Sequence, residues 1–293
     1  MSEGGSIDGP DRPRGGDLVY RHRASTRLWH WLNALTVFIM LMSGLMIFNA
    51  HPRLYWGKYG ANADTPWLQI GGNPTRGFVR LGKLEIPTTG VLGQWKDGAG
   101  NVRNNAFPGW ATIPSSYNLA GARIWHLMFA WLLVVPGLAY WMWSLLNRHI
   151  QRDLLPKWGE LAPGHIWADI RDHARLRFPT GVAARNYNIL QKISYLGVLF
   201  VLLPAIVLTG LTMSPAIDAA WPWLLDLFGG RQSARSIHFI AAMLIAAFIV
   251  VHLVMVVLAG PINEVRSMIT GRYRLPLERP APAADEPQME VAQ

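Results

Sequence analysis

Four uninterrupted apolar stretches divide the chain, at roughly 28–48, 124–146, 193–214 and 237–259, with polar segments rich in Gly and Pro between them. Each is about the ~20 residues that a helix needs to cross ~30 Å of hydrocarbon. Lipid offers backbone N–H and C=O groups no partner, so such segments satisfy themselves as helices. Trp29, Trp31, Trp125, Trp141 and Trp143 lie close to the ends of these runs, where indole rings favour the membrane interface. The pattern predicts an all-α integral membrane protein, a four-helix transmembrane bundle.

The segments between the runs predict the organisation. Residues 1–19 and 266–293 lack apolar periodicity and read as cytoplasmic tails, the first disordered and the second Pro-rich; the four-span body runs from 20 to 265. The loop at 49–122 holds Trp56, Trp67, Trp95 and Trp110 among many Gly and Pro, and "KDGAGNV" resembles a hairpin turn, so a small folded outer cap is expected there. The inner loop, 147–190, contains "PGHIWADIRDHARL" (163–176), which reads as a short amphipathic helix. "IDAAWPWLLDLF" (217–228) is expected in the outer interface.

Orientation follows from the basic residues. Arg21, Arg23 and Arg27 precede the first span, a cluster from Arg148 to Lys192 lies between the second and third, and Arg266, Arg272 and Arg274 follow the fourth. With an even number of spans all three groups fall on one side, which positive charge marks as cytoplasmic. The first seventeen residues have no apolar core of a signal peptide. Both termini are therefore expected in the cytoplasm.

Composition narrows the chemistry. The chain has 293 residues, 51% hydrophobic and 15% charged, with net charge +9. On a membrane protein that excess suits topology and anionic membrane lipid rather than nucleic acid. The absence of cysteine excludes disulfides, thiolate-held iron–sulfur clusters and the attachment of c-type haem. A redox cofactor here has to be held by histidine or by shape.

Three motifs repeat at the mouths of apolar runs: "RLWH" (27–30), "RIWH" (123–126) and "RSIH" (235–238). His252 lies fourteen residues beyond His238 in the last run, about 21 Å along the axis and close to a whole number of turns, so both imidazoles share one face at two depths. From a cytoplasmic start, His30 and His252 fall toward the inner side, and His126 and His238 toward the outer. Two facing pairs, one above the other, suit two stacked six-coordinate haems. A structural zinc site would want four ligands at one spot; histidines serving only helix packing remain the alternative.

Arg27, Arg123 and Arg235 sit one turn outward of these histidines, where they could meet haem propionates or simply snorkel. Gly44 and Gly137 return near the histidine face at the depth of the other haem, and their missing side chains would admit a macrocycle edge. His51 competes weakly as an outer ligand because it precedes Pro52. His22, His149, His165 and His173 read as solvated or interfacial.

With its four histidines and the fourteen-residue gap, the chain resembles the cytochrome b561-like family of di-haem membrane subunits, which includes the cytochrome b subunits of nickel–iron hydrogenase, formate dehydrogenase and thiosulfate reductase. The likeness covers about 20–265, and "YNLAGARIWHLMFAW" and "NYNILQKISYLGVLFVLLPAIVLTG" are most similar to the thiosulfate reductase type. It implies two haem b groups held by His30, His126, His238 and His252, in a bacterial inner membrane. It also implies a quinone site at "NILQK", with Asn188, Gln191 and Lys192 as contacts; helix capping is the competing role for that asparagine. The long outer loop departs from the family.

The function expected is an electron conduit between the quinone pool and an outer molybdenum or iron–sulfur oxidoreductase docked on the 49–122 cap. It is compatible with an oligomer. Two rivals stand beside it: a self-contained haem enzyme acting on a small molecule such as superoxide, and a haem-free anchor or transporter.

Overall fold

The computed structural model describes residues 16–148, 150–175 and 188–277. They form two compact units: residues 28–155 with 193–254, and the remaining described residues.

Among the described residues, four helices are long and apolar enough to cross a membrane. The first is α1 (Ala24–Asn49) and the second α2 (Leu119–Leu146). The third is assembled from α4 (Ile189–Gly197), a π turn at Val198–Leu202 and α5 (Leu203–Thr212), and the fourth is α8 (Arg231–Ala259). The wide π turn ends two residues before Pro204, which has no N–H to offer the carbonyl four residues back. All four helices begin before their apolar runs, and for two of them the start is built by a specific local feature. The Asn118 side chain accepts from the Gly121 N–H at 2.8 Å and so starts α2 at 119, and Gly229 and Gly230, both with positive φ, turn the chain into α8 at 231.

The polarity of these helices is inverted relative to a water-soluble bundle. Thr36, Ser43, Thr209, Thr212 and Ser236 are fully buried, while Trp131, Val201 and Val251 expose most of their surface. Small hydroxyl residues let helices approach closely in lipid, and outward Leu, Val and Trp meet the acyl chains. The protein is a helical membrane bundle.

The segment expected as a cap folds around a four-stranded antiparallel sheet in the order β2 (Arg53–Leu54), β3 (Leu68–Gly72), β4 (Gly77–Leu81) and β5 (Leu84–Pro87). "KDGAGNV" joins β6 (Trp95–Lys96) to β7 (Val102–Arg103) as a hairpin. Asp97 holds that turn, accepting from the Ala99 and Asn101 N–H groups and pairing with Arg103 at 2.8 Å. The core of this segment, Leu54, Leu68, Ile70 and Ala106, is continuous with the bundle through Phe48 of α1 and Phe239 of α8, whose rings stack at 4.6 Å. Gly93 passes against the sheet with φ 76°; a Cβ there would lie 2.0 Å from the Gly71 carbonyl oxygen. The segment at 217–228, expected in the outer interface, forms two short helices, α6 (Pro215–Ala220) and α7 (Pro222–Leu227), and Asp218 pairs with Arg231 at the start of α8.

The second unit corrects part of the reading of the tails. Residues 1–15 and 278–293 lie outside the described residues, but β1 (Leu18–Tyr20) pairs antiparallel with β8 (Arg272–Arg274), and α9 (Pro261–Thr270) precedes β8. Short alternating runs such as "LVY" and "RYR" carry too little apolar pattern to read as strands alone; Tyr273 and Leu275 become a core only with Val19 against them. Arg21 lies over the Tyr273 ring at 4.4 Å and pairs with Glu264. His22 is buried rather than solvated. The amphipathic segment forms α3 (Pro163–Ala174), and its Asp169 accepts from the Ile189 N–H at 3.2 Å. His149 and residues 176–187 lie outside the described residues.

Candidate functional site

The structure brings together the histidines that chain direction and helix rise place at equal depth. His126 of α2 and His238 of α8 stand with ring centroids 6.2 Å apart, and His30 of α1 and His252 of α8 with centroids 6.3 Å apart. Neither distance allows a direct hydrogen bond between the rings. Both fit an atom held between two ring nitrogens: a metal–imidazole bond of about 2.0 Å on each side, plus the distance from nitrogen to ring centre, separates centroids by about 6 Å. Among the described residues no three His, Asp or Glu side chains gather as a metal site. Two pairs at two depths, not one four-ligand cluster, is what the helices build.

The His126–His238 pair is seated against the end of the preceding span in each half of the bundle. His126 Nδ1 lies 3.1 Å from both the Met40 carbonyl oxygen and Ser43 Oγ. His238 Nδ1 lies 3.1 Å from Thr209 Oγ1. Gly44 and Gly210 pack against the same two rings, and a Cβ on either would come within 3.4 Å of the imidazole Cε1. Gly44, which spacing suggests for a macrocycle edge, thus lies against the His126 ring. Gly137 lies against Trp29: a Cβ there would be 3.3 Å from the indole, which itself stacks on Tyr140 at 5.5 Å. At the other end, the Phe248 ring lies nearly parallel to His252, with centroids 6.0 Å apart.

The three arginines have different settings. Arg123 is exposed and makes no hydrogen bond among the described residues. Arg235 is committed to the cap: Nη1 donates to the Arg53 carbonyl at 3.0 Å and Nη2 to the His51 carbonyl. Arg27 donates from Nη1 to the Ile269 carbonyl. Sequence spacing places all three at helix mouths, but nothing in it separates a free guanidinium from one already holding a loop.

His51 does not face another histidine in a pair. Its ring meets Tyr55 edge-on, with centroids 6.0 Å apart. Burial, then the charges of Arg235 and Arg53, hold its pKa below the ordinary imidazole value.

The residues implied as quinone contacts are locally engaged. Asn188 Oδ1 accepts from the Gln191 N–H at 2.9 Å, and Gln191 Oε1 accepts from the Asn188 N–H at 3.3 Å, a reciprocal cap at the start of α4. Lys192 Nζ pairs with Glu160 at 2.8 Å.

Sequence inspection missed Ser43, Thr209 and Gly210. Their signal is an internal similarity, "LMSGLMI" (41–47) against "VLTGLTM" (207–213), too short to notice until both stretches are seen against a histidine.

Comparison with known proteins agrees with these helices. Residues 21–271 match the prokaryotic cytochrome b561 family. A protein of Azospira oryzae named as a protein-methionine-sulfoxide reductase subunit, YedZ1, is 27% identical over 237 residues, covering 81% of this chain and 90% of that one. A protein of Azotobacter vinelandii named as a Ni/Fe-hydrogenase B-type cytochrome subunit is 21% identical over 264 residues, covering 85% of each chain. No solved structure matches. With four spans and the family match extending across all of them, this chain belongs to the prokaryotic cytochrome b561 family of multi-pass, haem b-binding membrane cytochromes.

Proposed function

We propose that the protein is a di-haem electron conduit of a bacterial inner membrane, with His126 and His238 as axial ligands of an outer haem b and His30 and His252 as those of an inner one. The two pairs of rings at 6.2 and 6.3 Å carry this reading. Haem b, when bound, would supply reversible one-electron chemistry, with the two imidazoles of each pair as the residues that would hold it. The chain's own part is to fix the imidazoles at two depths, to exclude water with the apolar helix faces, and to present a cationic Arg123 one turn outward of His126 for a propionate.

Electrons would pass between quinone on the cytoplasmic side and an oxidoreductase outside, both termini lying in the cytoplasm. Two relatives named as subunits of larger enzymes support a partner, and the folded 49–118 segment is the surface proposed to receive it; a molybdenum or iron–sulfur protein fits a chain that can build no cluster of its own. The helix start at Asn188, Gln191 and Lys192 is the proposed quinone contact. Asn188→Ala should slow quinol-driven haem reduction while leaving haem content unchanged; equal slowing with a small-molecule reductant would remove the quinone assignment.

The deciding experiment is a haem count on the purified protein. Two haem b per chain are expected. His126→Ala and His252→Ala should each remove one haem, and different spectral components; loss of the same component in both would overturn the pairing.

A further inference from the structure

The end of α1 and the end of α5 present the same three-residue element, Ser43-Gly44-Leu45 and Thr209-Gly210-Leu211, to the outer histidines. The match is metric as well as chemical. Each hydroxyl oxygen lies 3.1 Å from an imidazole Nδ1. A Cβ on either glycine would lie 3.4 Å from Cε1 and 3.7 Å from Nδ1 of the same ring. The bundle therefore contains two equivalent cradles, one for His126 and one for His238.

Hydrogen-bond direction decides what the cradles do. A hydroxyl has one hydrogen. Thr209 donates it to the Ala205 carbonyl at 2.6 Å, so toward His238 its oxygen can only accept. Ser43 donates to the Ile39 carbonyl at 2.8 Å, with Met40 at 3.2 Å. His126 Nδ1 also faces the Met40 carbonyl, which has no proton to give. Both rings must then carry their proton on Nδ1, which leaves Nε2 with a free lone pair.

We propose that Ser43 and Thr209 are positioning residues that hold the outer histidines in the Nδ1-protonated tautomer and in the rotation that presents Nε2 to the iron. This rests on the assignment of His126 and His238 as ligands, and extends it to the groups behind them. A hydrogen bond from the far ring nitrogen also makes the ligating nitrogen more basic and stabilises the oxidised metal. The two cradles match in their backbone acceptors as well. His126 is also hydrogen-bonded to the Met40 carbonyl and His238 to the Ile206 backbone, each three residues before the hydroxyl, so loss of either hydroxyl leaves one backbone acceptor.

The test is a redox titration with low-temperature electron paramagnetic resonance on the detergent-purified full chain, with the outer component identified as the one absent from His126→Ala. Thr209→Val preserves shape and removes the acceptor. It should raise the reduced-to-oxidised ratio of the outer haem at fixed potential by up to about tenfold, or about 59 mV for one electron, and change its g-values. Ser43→Ala should shift it in the same direction, the inner component should be unmoved in both, and Thr209→Ser should restore the wild-type signal. Loss of the outer haem in Thr209→Val with recovery in Thr209→Ser supports the proposal equally. An outer component of unchanged potential and g-values in Thr209→Val, with both haems retained, overturns it. Haem content undiminished by His126→Ala would instead defeat the ligand assignment beneath it.

Discussion

At the scale of single residues, the sequence shows chemistry but not commitment. Arg123 and Arg235 occupy identical places in an R-x-x-H motif, yet one is free among the described residues and the other holds two loop carbonyls. Asn188 and Gln191 read both as quinone contacts and as a helix cap, and the backbone N–H groups of α4 engage both side chains. Lys192 is engaged as well, and its partner titrates. Its hydrogen bond with Lys192, then that with the Lys157 backbone, hold the Glu160 carboxyl below its ordinary pKa. A carboxylate depressed on folding contributes stability above its unfolded value of about 4.3, and that contribution fades as pH falls through the lower folded value. Thermal melts of the wild type and Glu160→Gln should therefore differ near neutrality and converge on acidification below about pH 4. A difference independent of pH would assign the loss to packing.

At the scale of elements, the apolar pattern reads well where lipid is the solvent and poorly where protein is. The four spans are visible as runs because every residue facing acyl chains must be apolar. The sheet of the 49–118 segment was legible only as aromatics among turn residues, since its strands are two to five residues long and gain a core from Phe48, on the helix that leads into it, and from Phe239, on a helix far away in sequence. The joint is polar too. Ser236 accepts from Trp67 Nε1 at 2.9 Å and donates to the Tyr55 carbonyl at 2.6 Å, while Ser233 Oγ accepts from the Gly57 N–H at 2.7 Å. Ser236→Ala strands two buried groups and should cost about 1–3 kcal/mol for each. Limited proteolysis within 55–70 should accelerate in that variant, with the haem spectrum retained; unchanged cleavage would show that the apolar contacts alone hold the segment.

At the scale of the whole molecule, the prediction that follows from membrane embedding is a contrast between two equally exposed leucines. Leu244 lies near the middle of α8 and is 50% exposed, and Leu84, in β5, is 59% exposed. In water both would accept lysine with little effect. In a bilayer, Leu244→Lys should oppose insertion by about 2.5–3.5 kcal/mol and lower the yield of membrane-inserted protein, while Leu84→Lys should leave it unchanged. Equal yields would place α8 away from lipid.

Class, span number, the spacing of the histidines along their helices and the lack of cysteine were determined by the sequence alone, because hydrocarbon thickness and helix rise convert residue spacing directly into distance along a spanning helix. Rotation about the helix axis is a different matter, since it depends on which helix face meets which neighbour. Only the tertiary structure could decide that Ser43 and Thr209 stand behind the outer imidazoles, that Gly137 lies against Trp29 and that Arg235 is spent on the cap, for these are contacts between helices that the linear pattern leaves free to turn.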